Sequence, residues 1–152
     1  MREIKIKVND EWVTGPVKAD TTLLRFLRDN GLTEVKKGCG EGECGACTVL
    51  LDEKAVTSCL VLALQAEGRE VSTIKKKGDQ FLEALKEAFV KYEAAQCGFC
   101  SPGVIITARW LLSENPRPNR EGIRDALSGN LCRCTGYQKI VDAIEYVSME
   151  AK

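Results

Sequence analysis

Histidine is absent from the chain. Its loss removes the side chain that most often serves as a general base or a nitrogen ligand, so a metal site here must be built from other donors. No apolar run approaches the roughly 18 residues that a membrane-spanning helix needs. There is no basic excess either: 22 Lys and Arg stand against 22 Asp and Glu, which leaves no electrostatic footprint for nucleic acid. The opening MREIKIKV alternates charged and apolar residues instead of running apolar, so no secretory leader is expected, and a cytoplasmic location is. With no nucleophile outside the cysteines, no catalytic residue is expected on this chain. What it does have is eight cysteines in 152 residues.

None of the eight is left over, because they fall into two quartets: Cys39, Cys44, Cys47 and Cys59, then Cys97, Cys100, Cys132 and Cys134. The first reads Cys-x4-Cys-x2-Cys, the spacing of a plant-type 2Fe-2S loop that a more distant fourth cysteine completes. Gly38, Gly40, Gly42 and Gly45 are interleaved with it. Glycine allows positive φ and close backbone approach, which lets successive N–H groups turn inward onto sulfide and thiolate as an anion-binding nest. A disulfide framework suits small secreted domains that lack a core. A chain of this length that is 44% hydrophobic can bury one in a reducing compartment. Redox-active thiols are expected beside a histidine or as one reactive pair. Zinc is the stronger rival, since all-thiolate tetrahedral sites use Cys-x2-Cys pairs.

Two halves follow from the patterning. Ile4, Ile6 and Val8 alternate with lysines as a half-buried strand, Asn9-Asp10 turns the chain, and a second strand runs from Trp12 to Val17. Thr22 and its neighbours cap a helix with Leu23, Leu24, Phe26 and Leu27 on one face, and Gly31 stops it. Thr48 to Leu51 returns as a strand, Asp52-Glu53 turns it, and Ala55 to Thr57 pairs back so that Cys59 closes over the loop. Sheet, helix and loop together suggest a ferredoxin-like β-grasp domain over residues 1–76. Lys75 to Gly78 reads as a solvated linker. Residues 77–152 read as an all-α domain of four helices, built on Phe81, Leu82, Leu85, Phe89 and Tyr92; on Val104 to Leu112; on Ile123, Ala126 and Leu127; and on Ile140, Ala143, Ile144 and Val147. The fold class is therefore α+β.

Ser101-Pro102 reads as a cap followed by proline at the first helical position, which puts Cys97 and Cys100 at the amino end of the central helix. Negative charge on sulfur is favoured there by about 0.3 to 2 kcal/mol. Cys132 and Cys134 lie between the third and fourth helices, where Gly129 and Gly136 can turn the chain back. A single residue between two cysteines is unusual for structural zinc, where two to four is the common rule. Glu41 and Glu43 read as solvated loop carboxylates.

The stretches CGEGECGACTV, AQCGFCSPG and NLCRCTGYQKIVDAI resemble the iron–sulfur subunit of the molybdenum hydroxylase family, and the likeness covers nearly the whole chain. All eight ligand positions of that family are present, as is its short gap of eleven residues between Cys47 and Cys59. Ser101 stands where many members carry threonine. The resemblance implies an electron relay with one 2Fe-2S cluster in each half. The partners it implies are a large subunit carrying a molybdenum-pterin (molybdopterin) centre and a medium subunit carrying FAD, assembled as a dimer of heterotrimers. It also implies that Gln96 and Cys134 lie against the pterin. Placement at a helix end predicts that the two clusters differ in potential and exposure, with the second shielded at a subunit interface. A free two-cluster ferredoxin, a zinc-stabilised interaction module and a cluster-based redox sensor are the competing readings.

Overall fold

The structure is a computed structural model that describes residues 1–150. Strands β1 (Arg2–Val8) and β2 (Glu11–Val17) form a hairpin in which Val8 pairs with Glu11 across Asn9-Asp10. Both turn residues have positive φ, 50° and 72°, the geometry whose twist matches that of the flanking strands. Thr22 caps α1 (Leu23–Asp29), its hydroxyl accepting from the Arg25 amide at 3.2 Å. Strands β3 (Thr48–Leu51) and β4 (Lys54–Thr57) form a second tight hairpin, with Asp52 and Glu53 at φ 47° and 69°. Strand β5 (Glu70–Ser72) completes a mixed sheet in the order β2-β1-β5-β3-β4, parallel to β1 and antiparallel to β3. The sequence reading did not expect β5. Three residues are too few to show an alternating period, although Val71 lies fully buried at the centre of the sheet.

The remaining helices are α2 (Gln80–Lys91), α3 (Ser101–Glu114), α4 (Arg120–Ala126) and α5 (Gln138–Glu150). Two cores result. One joins the sheet to α1 through Ile4, Ile6, Leu23, Phe26, Leu27, Val49 and Leu51. The other joins the four helices through Leu82, Leu85, Ile106, Leu112, Ile123, Ile140 and Ile144. β3 belongs to both, because Val49 and Leu51 face the first core while Leu50 enters the second. A strand covered on both faces runs continuously apolar instead of alternating, which is why TVLL shows no polar side. Helix α3 packs on that strand, so the helical half sits on the back of the sheet.

The lysine run is not a solvated linker throughout. Lys76 is only 16% exposed and its Nζ pairs with Asp10 at 2.7 Å and Glu70 at 3.2 Å, while Lys75 reaches the buried Glu34 at 3.4 Å. Adjacent side chains on an extended segment point opposite ways, and β5 brings Glu70 within reach of the side chain at 76.

Candidate metal centres

Residues 38–47 curl through Gly40, Gly42 and Gly45, all at positive φ. Three backbone amides, those of Glu41, Glu43 and Cys44, donate to the Cys39 sulfur at 3.2 to 3.3 Å. The Cys44 sulfur accepts from the amides of Cys39 at 3.4 Å and Ala46 at 3.5 Å. At Gly38, whose φ is ordinary, a β-carbon would come within 2.6 Å of the Cys44 sulfur. Donation from the Glu41 amide, then from that of Cys44, holds the Cys39 thiol down at about 7. Glu41 and Glu43 carry exposed side chains, as expected, and contribute through their backbone.

The gap before Cys59 is the β3–β4 hairpin. Thr48 pairs with Thr57, so residues 47 and 58 emerge side by side. Ser58 donates from its hydroxyl to the Cys47 carbonyl at 2.7 Å. A 3-10 turn over Ser58–Leu60 then brings Cys59 toward Cys47. Burial pushes Cys59 up to about 11, and the Cys47 thiol adds to the upward shift, against donation from the Gly42 amide.

In the second quartet Cys100 is itself the N-cap of α3, with φ −78° and ψ −20°. This corrects the expected cap. Ser101 is already helical, and its Oγ is buried without a hydrogen-bond partner. Helical geometry begins one residue too early for that hydroxyl to reach forward to a free amide of the first turn. Gly98, at φ 82°, turns Cys97 away from the helix start. Cys132 and Cys134 lie in the loop between α4 and α5, where Gly136 has φ 65°. Gly129 does not turn the chain in this way. Its carbonyl instead occupies the space that a β-carbon on Gly45 would take.

Burial pushes the Cys100 thiol up to about 12, and hydrogen bonding to Cys132 adds to it. Burial acts to raise Cys132 as well, but the Thr135 hydroxyl and the amides of Thr135 and Cys134 outweigh it, and the thiol moves down. Cys134 is raised by its contact with the Cys97 thiol, while the Cys97 amide opposes the shift.

The cysteines that shift one another all belong to the same quartet: Cys44 acts on Cys39, Cys47 and Cys39 on Cys59, Cys132 and Cys97 on Cys100, and Cys97 and Cys132 on Cys134. Among the described residues, no three His, Cys, Asp or Glu side chains surround a point where one ion could be held. Two quartets of cysteines match the ligand count of two two-iron clusters, each of which shares four cysteines between two irons. The inward amides supply the fit as well: thiolates and sulfides need such donors, and neutral thiols do not.

The two loops touch. The Leu131 amide donates to the Cys44 carbonyl at 2.9 Å, and Asn130 Nδ2 donates to the Gly45 carbonyl at 3.2 Å. A β-carbon on Gly103, in the first turn of α3, would strike the same Gly45 carbonyl. Gln96, Cys97 and Cys134 are exposed, beside Phe99 at 46% and Leu131 at 55% exposure. A depression of about 530 Å³ opens at Cys39 and Cys59, with Arg25, Arg28 and Lys37 around it. Asn130, Thr135 and Tyr137 were not singled out from sequence. A tyrosine three residues beyond a cysteine pair was the available signal, since a half-buried phenol must place its hydroxyl somewhere.

Residues 6–73 match the family described as "2Fe-2S iron-sulfur cluster binding domain", and residues 71–145 the family described as "[2Fe-2S] binding domain". The nicotine 6-hydroxylase small subunit of Paenarthrobacter nicotinovorans is 50% identical over 143 residues, covering 93% of this chain and 87% of that protein. The nicotinate dehydrogenase small FeS subunit of Eubacterium barkeri is 49% identical over 145 residues, covering 94% and 92%. Quinoline 2-oxidoreductase from Pseudomonas putida 86 contains a chain that superposes with TM-score 0.89 at 41% identity, covering 99% of this chain and 97% of that one. In the aldehyde oxidoreductase of Desulfovibrio desulfuricans the same fold, at TM-score 0.90 and 41% identity, makes up 17% of a longer chain. With both cluster-binding modules in the same order and such identity along nearly its full length, this chain belongs to the family of iron–sulfur small subunits of the molybdenum hydroxylases.

Proposed function

We propose that the chain is the electron-transfer subunit of a cytoplasmic molybdenum hydroxylase complex. Cys39, Cys44, Cys47 and Cys59 would hold one 2Fe-2S cluster, and Cys97, Cys100, Cys132 and Cys134 the other. When bound, each cluster carries single electrons between a molybdopterin centre on a large subunit and FAD on a medium subunit. The observation that carries this reading is the set of backbone amides aimed at the sulfurs of Cys39, Cys44 and Cys132 within the two cysteine quartets.

The chain's own residues divide the task. Gln96 and Cys134, exposed as are Phe99 and Leu131, are the groups proposed to meet the pterin-bearing subunit and to shield the second quartet there. Cys39, at a depression lined by Arg25, Arg28 and Lys37 together with Asp29 and Glu41, would face the flavin-bearing subunit. We place the boundary between the two functional units at residues 76 and 77, just before the Asp79 cap of α2, and propose a dimer of heterotrimers as the assembly.

Metal and flavin analysis of the intact complex tests this. Four irons and four acid-labile sulfides per copy of the chain, co-purifying molybdenum and FAD, and two paramagnetic signals after full reduction are expected. Brown protein that purifies alone makes it a free carrier; zinc in pale protein makes it an interaction module.

A further inference from the structure

We infer that Tyr137 is a positioning residue for the second quartet, setting the electronic environment of Cys132 through its phenol. Its hydroxyl accepts from the Cys132 amide at 2.7 Å and donates to the Asn130 carbonyl at 2.9 Å. One oxygen thus closes the loop from Asn130 to Tyr137 on itself. Tyr137 is held in the left-handed region at φ 71°, a conformation that a bulky side chain rarely adopts and that needs compensating contacts. Its own amide donates to the Thr135 hydroxyl at 3.2 Å, and that hydroxyl lies 3.1 Å from the Cys132 sulfur. Cys132 is therefore fixed at its backbone by Tyr137 and at its sulfur by Thr135, with the Thr135 amide donating to the same sulfur at 3.4 Å.

Removing the phenol oxygen strips a partner from both the Cys132 amide and the Asn130 carbonyl, and frees the sulfur to move relative to its donors. Hydrogen bonds to cluster sulfurs and solvent access tune the reduction potential, so the effect is on the second centre. The first loop takes its donors from residues 39 to 46, while the hydrogen bonds of Tyr137 go to Asn130, Cys132 and Thr135.

This inference rests on the two-cluster reading and is tested in the assembled complex with Tyr137→Phe, which keeps the ring. Redox titration followed by low-temperature paramagnetic resonance reads each centre, and a Cys39→Ser variant identifies the signal of the first. The expected result is a shifted potential and altered line shape for the second signal, with the first unchanged as an internal control of folding. Two unchanged signals at full iron content overturn the inference. So does equal loss of both centres, which would make the phenol a general folding contact. Fewer than four irons in the unsubstituted complex defeats the two-cluster reading itself, and this inference with it.

Discussion

Asn130 Nδ2 donates to the carbonyl of Gly45 across 85 positions of sequence, at 3.2 Å and in a fully buried setting. The same amide lies 3.5 Å from the Thr48 hydroxyl, which donates to that carbonyl at 2.7 Å. With the Leu131–Cys44 bond alongside, the two cysteine loops are joined through backbone and a single side chain. The helical half is thereby keyed to the first loop between Cys44 and Cys132, one cysteine of each quartet being next to a bonded residue or bonded itself.

Asn130→Ala removes one donor from the Gly45 carbonyl, which keeps the Thr48 hydroxyl and amide. The expected loss is about 0.5 to 1.5 kcal/mol of stability, the net worth of one buried hydrogen bond. Urea unfolding of the variant beside the parent checks it, and a change under a few tenths of a kcal/mol would place the docking energy elsewhere.

Gly45→Ala is expected to be more damaging. The residue has φ 71°, and its β-carbon would be driven into the Gly129 carbonyl and Asn130. Left-handed strain and overpacking together come to about 2 to 5 kcal/mol. Iron content after purification should fall. Gly129→Ala is the control: no atom lies within 4 Å of its added carbon, and near-parental iron content is expected.

Arg109 is 14% exposed and spans the two halves, reaching Glu53 in the β3–β4 turn at 2.6 Å and Asp79 at the head of α2 at 2.8 Å. Asp79 also caps α2 by accepting from the Leu82 amide at 3.0 Å. Truncating Arg109 to alanine should cost about 1 to 3 kcal/mol, because charge-assisted bonds to a half-buried carboxylate are lost. Glu53→Ala, at the exposed end, should cost at most about 1 kcal/mol. A double-mutant cycle on thermal unfolding separates the two arms; equal effects would contradict the burial difference.

Asp52 supplies a pH dependence. Its hydrogen bond from Arg69 and then that from the Glu70 amide hold the carboxyl below its ordinary 3.8. A depressed folded value means that the contribution is fully present above about 3.8 and is lost as pH falls through the lower folded value. Both partners are nearly half exposed, at 43% and 47%, so the effect is a fraction of a kcal/mol. The gap in urea midpoint between parent and Asp52→Asn should stay constant from pH 7 to 5 and narrow only below about pH 4. A gap that closes already at pH 5 would contradict the assignment.

Much of the local architecture was legible from residues alone. Asn9-Asp10 and Asp52-Glu53 announced tight turns, the Leu23 to Leu27 stripe announced α1, and the apolar run at 104 to 112 announced a central helix. Cap placement at Ser101 was misread because a cysteine in helical conformation can occupy the N-cap position without offering a side-chain acceptor. Lys76 looked solvated because its partners, Asp10 and Glu70, are brought to it only by the sheet.

By itself the sequence determined the number, kind and spacing of the sulfur donors, the order of the two halves and the turns that let each loop curl. These depend on backbone freedom and short-range periodicity, which neighbouring residues carry. Only the tertiary structure decided that β3 is buried on both faces, that three residues around Val71 form the central strand, that the two cysteine loops are bonded to each other, and that Asn130 and Tyr137 hold the second loop. Each of these is a contact between segments distant in the chain or a hydroxyl aimed by packing, and such relations leave no period to read.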